Sequence, residues 1–355
     1  MTRTLIDLFS GIGGMTLALS GIASTIAYCE VDPDARAVLE TNMQRGRLPV
    51  APIVADIRTF SNVPRADVVA AGFPCIGFSA AGKRRGFADS QTRLFFDMLR
   101  VIDAARPRLL FLENVPGVMR SSKLIVRELV RDRKYNMRWC MACASDLGAP
   151  HRRKRWFCVA YKHERDLPEA LEFEATRKTA WRTEPKERMS RRVSAKRLRL
   201  LGNALVPQVA RAAYAYLCDV MPGPITRSTT AAAVLSGDHR TRYHVPDFPS
   251  VVQTSKWGIV LRPGAFASHK RPPTTMKHSV TSTIIHRRMW ATPLAQTVHS
   301  VNHLTERSAD MLPTQVRFEM RTPNSQRDGM LSATFVEWMM GFPMRWTATR
   351  PCGKP

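Results

Sequence analysis

Seven short apolar runs in the first 160 residues each end in a turn and alternate with stretches of helical spacing. The runs are Leu5–Phe9, Thr25–Cys29, Ile53–Ile57, Val68–Ala71, Arg108–Leu112, Met137–Ala144 and Trp156–Ala160. The helical stretches fall at Met15–Leu19, Pro33–Leu39, about Thr92–Ala105 and about Lys123–Arg133. Runs of this length that lack a polar alternation read as strands buried on both faces. Strands alternating with helices predict an α/β fold with a doubly wound, Rossmann-like sheet. Ligands of such sheets bind outside the carboxyl ends of the strands, so the residues that close each run are the ones to inspect.

The first run ends in Phe9-Ser10-Gly11-Ile12-Gly13-Gly14 and feeds a helix. Glycines at Gly11, Gly13 and Gly14 allow tight turning and close approach of a ligand to the backbone. The spacing is not G-x-G-x-x-G, so a dinucleotide site is not supported. The second run ends in Glu30, an acid about 20 positions on that suits two ribose hydroxyls. The competing reading makes Asp32 or Asp34 a helix cap and Glu30 a solvated neighbour. The third run carries Asp56 and Ile57 at its end, with Asp56 placed to accept from an adenine amino group. Together these three ends fit an adenosine-bearing cofactor better than any one of them does.

The fourth run leads into Gly72-Phe73-Pro74-Cys75-Ile76-Gly77-Phe78-Ser79 and the fifth into Glu113-Asn114-Val115. Cys75 and Glu113 therefore stand at the same sheet edge. A thiolate beside a carboxyl acid is what addition to a weakly electrophilic ring needs. Taken alone, Cys75 also reads as a buried structural cysteine. The last run is preceded by His151-Arg152-Arg153-Lys154-Arg155, a cationic turn that feeds a buried strand and directs some of its side chains into the site.

A formal net charge of +25 favours a polyanionic partner such as nucleic acid. Seven cysteines in 355 residues do not make a disulfide framework, and Cys140-Met-Ala-Cys143 is a lone pair without a second, so no metal is expected. The start lacks a signal-peptide pattern and no apolar run is long enough to span a bilayer, which predicts a protein of a reducing compartment with no membrane partner.

Residues from about Tyr161 to Arg199 are polar and basic and read as a surface connection. Arg197-Leu198-Arg199-Leu200-Leu201-Gly202-Asn203-Ala204-Leu205-Val206-Pro207 introduces an apolar helix running to about Leu217, and Pro222-Gly223-Pro224 marks a domain boundary. From Ile225 to about Arg327 periodicity is poor, and Trp257, Trp290 and Phe318 are dispersed in a basic background. That suits a loop-rich nucleic-acid reader and, equally, a poorly ordered tail. Phe335–Pro343 reads as a short helix ending at a glycine.

This motif series resembles the C5-cytosine DNA methyltransferase family, in its phage- and prophage-type arrangement. Asp7–Gly14 is similar to its S-adenosylmethionine loop, Gly72–Cys75 with Phe78-Ser79 to its nucleophile loop, and Glu113-Asn114-Val115 to its acid motif. His151–Arg155 stands where the family has Gln-x-Arg-x-Arg, and Gly202–Pro207 resembles its Gly-Asn motif. In the phage-type members this last motif precedes the target reader, and pieces like Leu312–Val316 and Val336–Pro343 follow it. Ile76 and His151 replace the usual glutamines, and Arg345 stands where a glycine is common. The resemblance implies a catalytic domain over 1–221, with 161–199 as a basic connection, and a smaller, loop-rich target-recognition region over 222–355. It implies S-adenosylmethionine as cofactor, held by Phe9, Ser10, Gly11, Gly13, Gly14, Glu30, Asp56, Ile57 and Asn203. It implies a flipped cytosine attacked at C6 by Cys75, with Glu113 on N3, Arg155 on O2, and Arg153 and Arg155 supplying the field that favours the thiolate. Double-stranded DNA is the implied partner of a monomer in a bacterial or phage-infected cytoplasm, with a cognate restriction endonuclease as an associated activity. An RNA (tRNA) cytosine methyltransferase and a degenerate binding relative stay open as alternatives; a cysteine hydrolase would need His151 as its base.

Overall fold

The computed structural model describes residues 2–74, 90–168, 181, 184–185, 189–190, 195–219, 251–255, 258–261 and 330–349. Cys75 and its loop, and Leu312–Val316, lie outside the described residues. Strands β1 (Arg3–Leu8), β2 (Ala23–Cys29), β3 (Ile53–Val54), β4 (Val68–Gly72), β5 (Leu109–Asn114), β6 (Asn136–Cys143) and β7 (Lys154–Tyr161) form one sheet in the order β3-β2-β1-β4-β5-β7-β6. The first five are mutually parallel, and β7 inserts antiparallel between β5 and β6. The chain reverses direction between β1 and β4, so the crevice expected at a switch point lies at the ends of those two strands. Two further strands, β9 (Val251–Ser255) and β10 (Gly258–Leu261), extend the sheet beyond β6. A two-residue strand β8 (Met189–Ser190) pairs separately with β11 (Met330–Leu331).

Both faces of the sheet are covered, which is why the strands read as unbroken apolar runs. Alternate residues serve the two faces. Leu5, Ala70, Phe111 and Val159 join one core with helices α1 (Gly14–Ala18), α2 (Pro33–Gln44), α5 (Ala195–Asn203), α6 (Pro207–Asp219) and α7 (Ala333–Met339). Ile6, Leu8, Val69, Ala71, Leu110 and Leu112 join the other with α3 (Ser90–Ala105) and α4 (Ser122–Val126). Each such side chain taken from water contributes about 1.5–3 kcal/mol. Among the described residues no helix is long and apolar enough to cross a membrane.

Several boundaries differ from the sequence expectation. The third strand stops at Val54, because Asp56 leaves the ladder and caps a short helical turn over Ile57–Thr59. The apolar helix expected after Arg197 is two helices, α5 and α6, separated where Pro207 starts a new first turn. Helix α5 draws Leu198 into the core, so the basic connection ends short of 199.

The largest correction concerns the boundary at 222. Phe335, Val336, Met339, Phe342 and Trp346 belong to the first core, packed with Leu5, Ile12 and Leu205. Residues 333–349 therefore complete the sheet domain rather than a second one. Glu337, fully buried, organises this C-terminal strip by accepting from the N–H groups of Arg345 and Thr347, the Thr347 hydroxyl and Arg197. His151 joins it to the cationic turn: its Nε2–H donates to the Met339 carbonyl at 2.9 Å, and its Nδ1 has no partner.

Two predictions follow from these contacts. Arg345 sits at φ +63° while only its backbone groups bond to Glu337 and Arg45. Arg345→Gly removes the left-handed strain and should stabilise the fold by about 1 kcal/mol in urea titration; destabilisation would mean the exposed side chain makes a contact of value. Burial pushes the His151 pKa down to about 4, with the Arg153 and Arg155 charges acting the same way against the Met339 bond. The unfolded chain takes up this proton near pH 6.5 and the folded one does not, so stability is full above pH 6.5 and falls toward pH 4 by about 3 kcal/mol. His151→Gln keeps a donor for Met339 and should flatten that part of the stability–pH curve; an unaltered curve would assign the acid loss elsewhere.

Candidate active site

The turn after β1 is built to expose backbone. Phe9 takes φ +54°, a left-handed conformation unusual for a bulky residue, and Gly11 and Gly13 follow at +53° and +85°. Ser10 anchors the turn through its hydroxyl on the Asp7 carbonyl at 2.6 Å and its N–H on the Cys29 carbonyl at 3.0 Å. A Cβ at Gly11 would meet nothing within 4 Å, so this glycine faces open space. Gly13 and Gly14 are glycines for packing: a Cβ would stand 2.9 Å from Leu48 at the first and 3.0 Å from Leu205 at the second.

Glu30 closes β2 beside this turn. Its Oε2 accepts the Gly11 N–H at 2.7 Å and its Oε1 accepts the Asp32 N–H at 2.8 Å. Burial raises its pKa, against the two backbone bonds. Each oxygen keeps a lone pair, so the carboxylate fits a pair of vicinal hydroxyls. Asp32, which caps α2, is paired with Arg199, and Asp34 with Arg199 and Lys196. Of the competing reading, the cap holds for Asp32, while Glu30 is buried rather than solvated.

Asp56 is differently placed. Its oxygens accept the Arg58 N–H and the Arg58 guanidinium, which holds its carboxyl below the usual range. Ile57 is buried in the second core with Phe60 and Leu8. Asn203, the last residue of α5, is exposed.

The second group of residues gathers one strand away. Gly72 on β4 is in register with Glu113 on β5, and Glu113 with Phe157 on β7. A Cβ at Gly72 would lie 3.2 Å from Glu113 Oε2, so the glycine makes room for the carboxylate. Arg155 Nε reaches Glu113 Oε1 at 3.0 Å, with both side chains largely buried. Desolvation raises the Glu113 pKa, and the charges of Arg155 and Arg153 offset only part of it. Cys75 follows Gly72 by three residues and lies outside the described residues.

Strand alternation sorts the cationic turn. His151, Arg153 and Arg155 point inward while Arg152 and Lys154 are exposed. Arg153 does something the sequence did not indicate. Its guanidinium is buried and donates to the Gly202 carbonyl at 3.0 Å and to that of Ala204. It thereby fixes the turn on both sides of Asn203, so its first role is to place α5 against β7. Asn114 also escaped notice as more than a neighbour of Glu113. Buried, it donates to the Phe73 carbonyl at 2.8 Å and accepts the Val115 N–H at 2.8 Å, tying the acid strand to the base of the cysteine loop. Asp7 is fully buried, bonded through Oδ2 to the Thr16 N–H and hydroxyl, and burial pushes its pKa up to about 7.

Comparison with known proteins agrees with this arrangement. The C-5 cytosine-specific DNA methylase family matches residues 3–198. Type II methyltransferase M.CviJI of Paramecium bursaria Chlorella virus IL3A is 28% identical over 370 aligned residues, covering 97% of each chain. Type II methyltransferase M.MspI of Moraxella sp is 33% identical over 48% of this chain and 44% of its own. Type II methyltransferase M.HhaI of Haemophilus parahaemolyticus is 32% identical over 46% of this chain and 50% of its own. The crystal structure of S. pombe Dnmt2 methyltransferase aligns with 52% of this chain and 62% of its own, at 22% identity and a TM-score of 0.40. With its family profile spanning the sheet from β1 to α5, and Glu113, Arg155 and Glu30 gathered at one edge of it, the chain belongs to the C-5 cytosine-specific DNA methylase family.

Proposed function

We propose that this protein transfers a methyl group from S-adenosylmethionine to C5 of a cytosine flipped out of duplex DNA, through a covalent bond between Cys75 and C6. The observation that carries the reading is the buried Glu113–Arg155 pair, with Glu113 in register with Gly72, which precedes Cys75 by three residues. The cofactor fits the residues present at its ribose end, where Glu30 has free acceptor capacity beside the open face of Gly11. Phe9 and the N–H groups of the glycine turn would hold the rest, with Asn203 closing from α5. Asp56 would receive the adenine amino group after exchange of Arg58, whose side chain is exposed. Ile57 would back that pocket from the core.

Bound S-adenosylmethionine supplies an electrophilic methyl group on a sulfonium, so no metal is needed. The chain's own residues do the rest. The Cys75 thiolate adds to C6 while Glu113 gives a proton to N3, which draws charge from the ring. A carboxyl whose pKa is raised by burial takes up that proton more readily than one held in water. Arg155, already on Glu113, reaches the cytosine O2 and fixes the base in its plane. C5 becomes nucleophilic and accepts the methyl group; the C5 proton then leaves to solvent, Cys75 departs from C6 as the thiolate and N3 returns its proton to Glu113, which restores the aromatic ring and both catalytic groups. Exposed Arg152 and Lys154 suit phosphate contacts, in keeping with the net charge of +25. The target reader lies within 222–329, and the protein acts as a monomer, alone or alongside a restriction endonuclease.

The test uses duplex DNA carrying 5-fluorocytosine, with tRNA in parallel and labelled S-adenosylmethionine. Fluorine at C5 blocks the final elimination, so a denaturation-resistant adduct is expected with DNA and is expected to disappear in Cys75→Ser. An adduct with tRNA alone would move the substrate to RNA, and cofactor binding without any adduct would make the chain a non-catalytic relative. Glu113→Gln should lower kcat by about 10²–10⁴-fold with cofactor affinity nearly unchanged. Loss of cofactor binding in that variant would instead make Glu113 a structural residue.

A further inference from the structure

The glycine turn is held from behind by a residue that lies 334 positions away. The Trp346 indole N–H donates to the Ile12 carbonyl at 2.8 Å, and Trp346 is 1% exposed. The opposite end of the same peptide plane is also fixed, because the Gly13 N–H donates to the Ser10 carbonyl at 2.9 Å. That peptide joins Ile12 to the left-handed Gly13, with left-handed Gly11 one residue before, so two glycines flank Ile12 and leave the turn free to change its backbone conformation unless something holds it. We infer that Trp346 is a positioning residue for cofactor binding: its indole N–H sets the Ile12 peptide and thereby the conformation of the turn on which the cofactor is seated. The inference rests on reading residues 9–14 as the cofactor turn.

The brace is stiff. The Trp346 carbonyl accepts from Asn42 of α2 at 2.9 Å, and Asn42 is fully buried. The residues on either side, Arg345 and Thr347, are both held by their N–H groups on Glu337. The Trp346 ring packs on Phe342 at 5.6 Å between centroids, and Phe342 in turn lies 3.6 Å from where a Gly14 Cβ would stand. Three contacts thus pin three successive points of the turn: Glu30 on the Gly11 N–H, Trp346 on the Ile12 carbonyl and Ser10 on the Gly13 N–H. Only the second comes from outside the β1–β2 unit. Without it the turn samples other peptide orientations, and binding must then order it.

Two substitutions remove the donor. Trp346→Phe deletes the N–H and part of the ring; replacement of Trp346 by benzothienylalanine puts sulfur where the N–H was and keeps the shape. Titration calorimetry with S-adenosylmethionine at 25 °C should give a Kd about fivefold higher for both, as expected for one lost hydrogen bond. Values of kcat at saturating cofactor, and of Kd for DNA, should stay within about twofold of the wild type. In the cofactor-free protein, amide exchange over residues 10–16 should quicken in both variants while strands β4 and β5 keep their protection. If Trp346 merely fills the core, Trp346→Phe lowers Tm with an unchanged cofactor Kd, and the benzothienyl variant matches the wild type throughout; either result overturns the inference. Should Trp346→Phe not fold, the shape-preserving variant decides alone. Unaltered exchange over 10–16 also defeats it, and that readout is independent of whether S-adenosylmethionine is the ligand: a wild type that ignores S-adenosylmethionine overturns the cofactor reading, and the positioning role defined on it falls too.

Discussion

A carboxylate buried at the end of a central strand is the constraint around which this domain is arranged. Taking Glu113 out of water costs several kcal/mol unless a cation accompanies it, and removing one partner of such a pair leaves a lone buried charge. Arg155 is that cation, and it comes from a strand 42 positions later in the chain. It reaches Glu113 only because β7 runs antiparallel beside β5 instead of adding at the sheet edge. On the other flank Gly72 leaves the space a side chain would take. Strand order, the glycine and the ion pair are thus one requirement. The compensation is incomplete, since desolvation still raises Glu113 above its ordinary value, and that residue of unmet cost keeps it able to take up a proton.

Glu337, Asp7, Glu30 and Glu113, four carboxylates withdrawn from water, separate by how fully they are satisfied, not by how deeply they lie. Glu337 accepts from four donors, three of them on Oε1, all from this chain's own strip and Arg197, so it is a fastener. Asp7 is bonded through Oδ2 to Thr16, whose hydroxyl also meets Thr25; its Oδ1 has no partner among the described residues, and burial pushes its pKa up to about 7. It lies beneath the glycine turn, where its carbonyl also receives Ser10. Glu30 and Glu113 stand at strand ends, each partly satisfied and each beside a glycine that leaves room. Those two keep acceptor capacity at the sheet edge where the ligand is proposed to bind.

The sequence made the parallel half of the sheet legible because both faces of each strand are buried, and a two-sided strand has a local signature. The strand ends were legible for the same reason, and with them Glu30 and Glu113. The period of two would also have sorted His151, Arg153 and Arg155 from Arg152 and Lys154. What local pattern does not carry is a choice among partners. Asp56 reads as a strand-end acceptor, yet Arg58 two residues on captures it as soon as the chain turns at Val54. Arg153 reads as a source of field for the cysteine, yet the nearest open acceptors are carbonyls of a turn about fifty residues away. Residues 333–349 read as the tail of a second region because the chain leaves the domain at α6, and nothing near Trp346 announces that Ile12 is its partner.

That chain order has a physical consequence for any reader of sequence housed between α6 and the strip. Beside its pairing through β10 onto β6, its two ends, α6 and the strip, come to the same few residues. Helix α6 packs directly on α1, the helix that the glycine turn opens into, and Leu205 just ahead of it touches the Gly14 position. The strip returns through α7 to place Phe342 at Gly14 and Trp346 on Ile12. A region tethered at one end could shift on DNA without loading the catalytic domain. One tethered at both ends transmits displacement to whatever its anchors hold, and here both anchors hold the turn proposed to seat the cofactor. Coupling of this kind needs no chain of intermediates across the sheet, because the two anchors and the turn are already in contact. It is reciprocal by thermodynamic necessity: what orders the turn steadies the anchors, and what steadies the anchors orders the turn.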